Sequence, residues 1–166
     1  GSLLQMVFHA LAKNALFLCA GAVICKTGCT RVKELRGMGK RMPAVMVCFA
    51  LASLSLVGIP PAGGFLAKWH LAVGAMRAEA GVFAWLGPAV LMVSALLTAG
   101  YLFPVIVEAF FPGKDWRKTD QSEDGRLSVS AFMGVPLAVL GISLLVLGAL
   151  GNPVFELLRG IASDMV

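Results

Sequence analysis

Charged residues are scarce in this sequence of 166 residues. Asp, Glu, Lys and Arg together make up 14% of it, whereas hydrophobic residues make up 58%, and the mean hydropathy is +0.86. A typical soluble domain has about 25% charged residues, so the composition excludes an ordinary soluble domain and indicates an integral membrane protein. The net charge of +5 does not indicate a nucleic-acid partner, because the basic residues cluster in one short loop between apolar stretches.

The sequence also lacks the residues of a disulfide framework, a zinc site or a redox centre. Cys19 and Cys48 fall within apolar stretches, and Cys25 and Cys29 bracket a predicted helix end without a nearby His or Cys to complete a metal site. We therefore expect reduced cysteines that serve packing. There is no CxxC ladder and no haem-type pair of histidines, so we predict no cofactor, no metal and no catalytic chemistry in this chain; any redox step would belong to its partners.

A cleavable leader is not evident at the start of the sequence. The first apolar stretch has no basic segment before it and carries His9 and Lys13 instead. Only Gly1 and Ser2 precede this stretch, which is typical of a fragment or of one piece of a split protein. We expect residues 1–166 to form a single membrane domain.

The long apolar stretches predict an all-α fold, a polytopic membrane helix bundle with one discontinuous transmembrane helix. A crossing needs about 20 apolar residues. The stretch from 43 to 77 is too long for one comfortable crossing and has no polar turn that would make it two. We predict about four spans and a short interfacial tail, at 3–25, 43–77 (broken at 58–64), 82–111, 127–150 and 153–166.

The break in the second span is predicted at Gly58, Pro60, Pro61, Gly63 and Gly64. The prolines remove backbone donors and clash with the preceding turn, and the glycines make the backbone permissive. We expect half-helices at 44–57 and 65–76. Irregular backbone at membrane depth is tolerated only where it is buried in protein or lines a wet cavity, and ion carriers use broken helices to build midplane sites. The alternative is a re-entrant kink with a snorkelling Lys68.

Ionisable residues inside the spans are the candidates for function, since an intramembrane charge is costly. Lys13 lies near the middle of the first span, and His9 precedes it by four residues on the same helix face. The alternative for Lys13 is a structural pair with a carboxylate of a neighbouring subunit. Lys68 directly follows the break. His70 is either a relay or a packing residue, and Glu108 is either a proton exit group or a carboxylate that reaches the headgroups.

The loop at 26–42 sets the predicted topology. The positive-inside rule makes this loop cytoplasmic and the start of the first span external. The loop at 112–126 falls on the same side, although it is nearly charge-balanced, and we predict a multi-pass protein of the cell inner (plasma) membrane. A surface patch for anionic lipid is the alternative interpretation of the first loop. Against the single acidic residue Glu34, the basic residues of this loop are Lys26, Arg31, Lys33, Arg36, Lys40 and Arg41.

Three stretches together resemble a known family: His9–Gly21 with its lysine at position 13, Glu34–Pro43, and Gly58–Trp69 with the sequence GIPPAGGFLAKW. In this order and spacing, they resemble the C-terminal part of the antiporter-like, proton-conducting membrane subunits. That family includes membrane subunits of respiratory complex I, of energy-converting hydrogenases, and the D-type component of Mrp cation/proton antiporters. The resemblance extends from Leu3 to about Phe111, and the Lys-Trp ending of the third stretch favours the Mrp D-type or hydrogenase-like branch.

The resemblance implies two inverted bundles of five helices, each with a broken helix, and a hydrated axis of buried Lys, His and Glu along the membrane midplane. By motif, Lys13 corresponds to the lysine of the family's central helix, His9 to the histidine one turn before it, and Lys68 to the lysine at the second broken helix. The first bundle, with its own broken helix and Glu–Lys pair, has no counterpart in this sequence.

The function implied by the resemblance is that of a proton-translocating subunit of a multisubunit membrane complex, of the Mrp type or a related respiratory type. The alternatives are a membrane subunit of a complex I-like NADH:quinone oxidoreductase or energy-converting hydrogenase, and a structural subunit without transport. The expected partners are other membrane subunits, including the N-terminal half of the fold, together with lipid and protons; Na⁺ and K⁺ remain open as further transported ions.

Overall fold

The computed structural model describes residues 2–60, 62–77, 81, 83–112, 127–150, 153 and 160. This part of the chain is helical and contains no strand. Its α-helices are α1 (Ser2–Thr27), α2 (Met38–Arg41), α3 (Pro43–Val57), α4 (Gly63–Arg77), α5 (Phe83–Phe110) and α6 (Ala131–Ala149), with a 3-10 helix at Val32–Leu35. Pro61, most of the second loop and most of the predicted tail lie outside the described residues.

Three of the helices are long and apolar enough to cross a membrane. They are α1, α5 and α6, with 26, 28 and 19 residues. The helices α3 and α4 have 15 residues each, which corresponds to about 22 Å at 1.5 Å per residue. Each is therefore shorter than the hydrocarbon core of about 30 Å. The polytopic all-helical membrane fold predicted from the sequence is confirmed.

The core of the bundle lies between α1 and α3. Because α3 also packs against α4, α5 and α6, it is the central element of the bundle. On α1, the buried positions recur every three or four residues, which places them along one face of the helix. These positions are Leu4, Phe8, Ala12, Ala15, Cys19, Ala22 and Val23.

The basic loop is attached to one end of the bundle. The Gly37 amide donates to the Glu108 carbonyl at 3.2 Å, and the Leu127 amide donates to the Arg41 carbonyl at 2.9 Å. Gly39 is buried, and a Cβ on it would lie 2.8 Å from the ring of Phe110. The same end of the bundle therefore contains the end of α1, the start of α3, the end of α5 and the segment leading into α6.

The outer faces of α5 and α6 are apolar and exposed. In α5 only three described residues are buried (Ala84, Leu102 and Ala109), and Leu96 at its middle is 70% exposed. Apolar faces of this extent suit lipid or neighbouring membrane helices rather than water.

Candidate functional site

The chain between α3 and α4 ends one helix and starts the next within a few residues. Gly58 has a φ of 87°, in the left-handed region, and ends α3. The amides of Gly58 and Ile59 both donate to the Leu54 carbonyl, at 2.9 and 3.1 Å, and the Ala62 amide donates to the Ile59 carbonyl at 3.0 Å. This leaves the later carbonyls of α3 without a partner from their own helix, as at any helix C-terminus.

Two glycines bring the start of α4 against its neighbours. A Cβ on Gly64 would overlap the carbonyl oxygen of Ser55, and a Cβ on Gly63 would overlap the ring of Phe8. Both glycines are buried. Only a residue without a side chain fits at these positions, so the first turn of α4 lies directly beside the last turns of α3 and beside the Phe8 turn of α1.

Lys68 reaches back from α4 to the end of α3. Its ammonium Nζ donates to the carbonyls of Leu56 at 2.9 Å and Val57 at 2.7 Å. Helical side chains lean towards the N-terminus of their own helix, which here is the direction of the break. The aliphatic stem passes over Gly58, where a Cβ would lie 2.9 Å from the Lys68 Cδ.

This position is electrostatically favourable for an ammonium group. The C-terminus of a helix carries about half a negative charge, and a cation there contributes about 0.3–1 kcal/mol at a surface and up to about 2 kcal/mol in a partly buried site. Lys68 is half-buried. Its positive charge therefore faces two backbone oxygens that no amide of α3 satisfies.

Two buried polar side chains close to the break were not predicted as site residues. Within the described part of the chain, neither Ser55 Oγ nor Gln5 Oε1 has a hydrogen-bond partner. Ser55 is 2% exposed and lies in the last turn of α3, while Gln5 lies one turn before Phe8 on α1. The sequence feature that could have identified Ser55 is the pair of hydroxyl residues, Ser53 and Ser55, in an otherwise apolar stretch just before the break.

His9 and Lys13 lie beside the buried face of α1. His9 is exposed and follows the buried Phe8, and Lys13 is half-buried and follows Ala12, which is 0% exposed. Among the described residues, neither side chain forms a hydrogen bond or an ion pair. Phe8 meets the start of α4 and precedes Lys13 by five residues, about 7.5 Å along the helix axis. The described contacts thus place the break within about two turns of Lys13 but do not join Lys13 to Lys68.

His70 and Glu108 lie in different surroundings from Lys68. His70 is half-buried and follows Lys68 by two residues, so it lies on another face of α4. Glu108 Oε2 accepts a hydrogen bond from Arg36 Nε at 2.8 Å, and the two groups form an ion pair at the loop end of the bundle. The structure therefore places Glu108 against the basic loop.

The four cysteines are free thiols. Cys19 and Cys48 are buried, and the thiol of Cys48 donates to the Leu137 carbonyl at 3.4 Å, which connects α3 to α6. Over the described ranges, no group of three or more His, Cys, Asp or Glu residues is arranged to hold a metal ion.

Comparison with known proteins shows where similar sequences occur. Residues 1–105 match a family of membrane segments described as "NADH:quinone oxidoreductase/Mrp antiporter, TM". The chain is 42% identical over 163 residues to the N-type component of the NADH-quinone oxidoreductase of Desulforudis audaxviator, a match that covers 94% of this chain and 32% of that protein. It is 30% identical over 166 residues to the D-type component of the Na⁺/H⁺ antiporter of Alkalihalophilus pseudofirmus, a match that covers all of this chain and 32% of that protein.

Two solved structures are similar to the fold. The Mrp complex of a Dietzia species matches with a TM-score of 0.75 and 26% identity, over 90% of this chain and 34% of the other. Respiratory complex I of Thermus thermophilus matches in fold with a TM-score of 0.63, over 90% of this chain and 33% of the other. The chain thus spans about a third of the length of each of these four proteins.

Proposed function

Because the chain belongs to the family of membrane subunits of NADH:quinone oxidoreductases and Mrp antiporters, we propose that it relays protons through Lys13, His9 and Lys68 as one subunit of a multisubunit membrane complex. The observation that carries the proposal is the position of the Lys68 ammonium on the terminal carbonyls of α3. Among the described residues, no carboxylate pairs with the Lys68 ammonium. The neutral backbone oxygens stabilise its charged form only in part, so Lys68 can release its proton.

Electrostatic coupling between lysines supplies the switching step. Burial in a low-dielectric site favours the neutral amine of a lysine. A second cation about 8 Å away adds about 2 kcal/mol of repulsion at an effective dielectric of about 20. A proton that arrives at Lys13 thus favours release from Lys68, and His9 relays between them with water.

The proposal includes a discontinuous transmembrane helix formed by α3 and α4. Each helix is too short to cross alone, and the turn between them joins the end of one directly to the start of the other. In this arrangement the site lies inside the hydrocarbon region, the basic loop is cytoplasmic and the start of α1 is external. The remainder of the two-bundle fold, on this proposal, is supplied by protein beyond residues 1–166.

Two types of complex are candidates for the assembly that contains this chain. The sequence favours an Mrp-type cation/proton antiporter through its Lys-Trp pair at Lys68 and Trp69, and the Mrp complex has the higher TM-score of the two structures above. A complex I-like oxidoreductase is favoured by the 42% identity to an N-type component of an NADH-quinone oxidoreductase. Co-purification of the assembled complex, followed by identification of its subunits, decides between them, since only the second requires redox subunits.

The relay is tested by substitution in the assembled complex. Lys68→Ala and Lys13→Ala should each reduce proton transport by at least about tenfold in vesicles, measured with a pH-sensitive dye, because each removes a proton-carrying group. Lys26→Ala is the matched control, since Lys26 lies exposed in the last turn of the same helix as Lys13, and it should transport at the wild-type rate. Wild-type rates in both Lys68→Ala and Lys13→Ala would rule out the relay.

A further inference from the structure

A cavity of about 120 Å³ lies where α1, α3 and α5 meet the basic loop. Its lining includes Cys19 and Val23, which are buried, and Thr30 and Arg31, which are exposed. Cys19 precedes Thr27, the last residue of α1, by eight residues, or about 12 Å along the helix axis. The cavity therefore extends from the exposed loop into the apolar part of the bundle. The remaining helices contribute Met46 and Phe49 from α3 and Val105 from α5.

The size and lining of this cavity suit part of a hydrocarbon chain. Among the described residues that line it, only Thr30, Arg31 and the thiols of Cys19 and Cys29 are not hydrocarbon side chains. An apolar protein cavity of about 150 Å³ stays dry and takes up a benzene molecule. The cavity beside the loop is slightly smaller, so it accommodates a few methylene groups of a longer chain rather than a whole lipid.

Arg31 places a positive charge at the exposed part of the lining. Glu34 Oε2 accepts hydrogen bonds from the backbone amides of Thr30 at 3.0 Å and Arg31 at 3.1 Å. Over the described ranges, the Arg31 side chain forms no ion pair, and neither does the Glu34 carboxylate. A guanidinium binds a phosphate through paired N–H donors. Arg31 is thus placed to bind an anion from outside the chain.

We propose that this cavity binds one acyl chain of an anionic phospholipid whose phosphate pairs with Arg31. Basic pockets between membrane helices are suited to anionic headgroups, and here the cation and the apolar cavity adjoin each other at the loop end of the bundle. The lipid site is independent of the proton relay, since none of Lys13, His9 and Lys68 lines it. It also differs from a diffuse basic surface, because one arginine and one cavity define it.

Photolabelling of the assembled complex in phosphatidylcholine vesicles tests the lipid site. The probe is phosphatidylglycerol with a diazirine on the first carbons of one acyl chain, and mass spectrometry identifies the labelled peptides. Those that contain residues 19–35 should be labelled at least about fivefold more than with the same diazirine on phosphatidylcholine, because only the first probe has a net negative charge. Excess glycerol phosphate should leave this labelling unchanged. Equal labelling by the two lipids, or displacement by glycerol phosphate, would overturn the site.

Two exposed cations of the loop provide variants with the same change of charge. Arg31→Gln should reduce labelling by phosphatidylglycerol about fivefold, because it removes the group that pairs with the phosphate. Lys33→Gln is the control, since Lys33 is exposed in the neighbouring 3-10 helix but does not line the cavity, and its labelling should stay within about twofold of the wild type. Equal reductions in the two variants would show a diffuse attraction to the loop and overturn the site.

A second pair of variants tests whether the acyl chain enters the cavity. Ala20 is exposed and lines the cavity, so the larger side chain of Ala20→Leu should occupy part of its volume and reduce the labelling about fivefold. Ala10→Leu makes the same change at an exposed position of α1 that does not line the cavity, and it should be labelled as the wild type is. Unchanged labelling of residues 19–35 in Ala20→Leu would show that the chain lies elsewhere and would overturn the proposal, even if Arg31 attracts the headgroup.

Discussion

At Gly64, α4 has no room for any side chain, because a Cβ would overlap the carbonyl oxygen of Ser55. Gly64→Ala should therefore push α4 away from α3 and destabilise the protein by about 1–3 kcal/mol, the range for overpacking in a tight core. The measurement is the melting temperature of the assembled complex, together with its rate of proton transport, since the shift also moves Lys68 away from its two carbonyls.

Gly74→Ala is the control for this prediction. Gly74 lies on the same helix, is exposed, and has nothing within 4 Å of its Cβ position. Alanine in place of a helical glycine is favourable by about 0.5–1 kcal/mol, so this variant should be as stable as the wild type or slightly more stable. A melting temperature of Gly64→Ala equal to that of Gly74→Ala would contradict the close contact.

The side chains of the site are easier to predict from sequence than its backbone groups. Lys68 stands out because it is a charge in an apolar stretch directly after Gly and Pro residues. The carbonyls of Leu56 and Val57 have no sequence signal, because every residue carries a carbonyl and only the fold decides which one is left unpaired. Ser53 and Ser55 likewise look equivalent in sequence. Only the structure shows that the Ser53 hydroxyl donates a hydrogen bond, whereas the Ser55 hydroxyl has no partner in the described part of the chain.

Between elements, the ion pair of Arg36 and Glu108 holds the basic loop against the end of α5. The Arg36 and Glu108 side chains are 55% and 29% exposed, so the pair contributes less than about 1 kcal/mol to stability. If Glu108 serves only this attachment, Glu108→Gln and Arg36→Gln should both keep proton transport within about twofold of the wild type in vesicles. Loss of transport in Glu108→Gln alone would instead identify Glu108 as a group that carries protons.

The start of α4 shows where local sequence preferences mislead. Gly and Pro residues favour irregular backbone, and the sequence predicts a half-helix that starts at 65. The structure starts α4 at Gly63. Gly63 and Gly64 are helical because their backbones pack tightly on Phe8 and on the Ser55 carbonyl, a tertiary contact that outweighs the intrinsic cost of glycine in a helix.

At the scale of the whole molecule, α1 has an exposed face that contains a charge. Lys13, at the middle of α1, is half-buried, and Phe17, one turn further along this face, is 71% exposed. A charge at the middle of a membrane-spanning helix is too costly to face lipid. The apolar face of α5 around Leu96 carries no such charge and can face lipid directly. Composition and motifs predict the membrane fold and the family, but the sequence spans about a third of the length of its relatives, and no hydrogen-bond partner of Lys13 lies among the described residues.

We expect the rest of the two-bundle fold to cover the Lys13 face in the assembled complex. A photoreactive benzoyl-phenylalanine in place of Phe17 should therefore form an adduct with another part of the same complex, identified by mass spectrometry. The same group in place of Leu96 is the control, because Leu96 is 70% exposed and lies at the middle of α5, at a comparable depth. Leu96 should give mainly lipid adducts. If Phe17 gives only lipid adducts in a complex that transports protons, then Lys13 reaches the headgroups or water along an uncovered face, and the first step of the relay has to begin elsewhere.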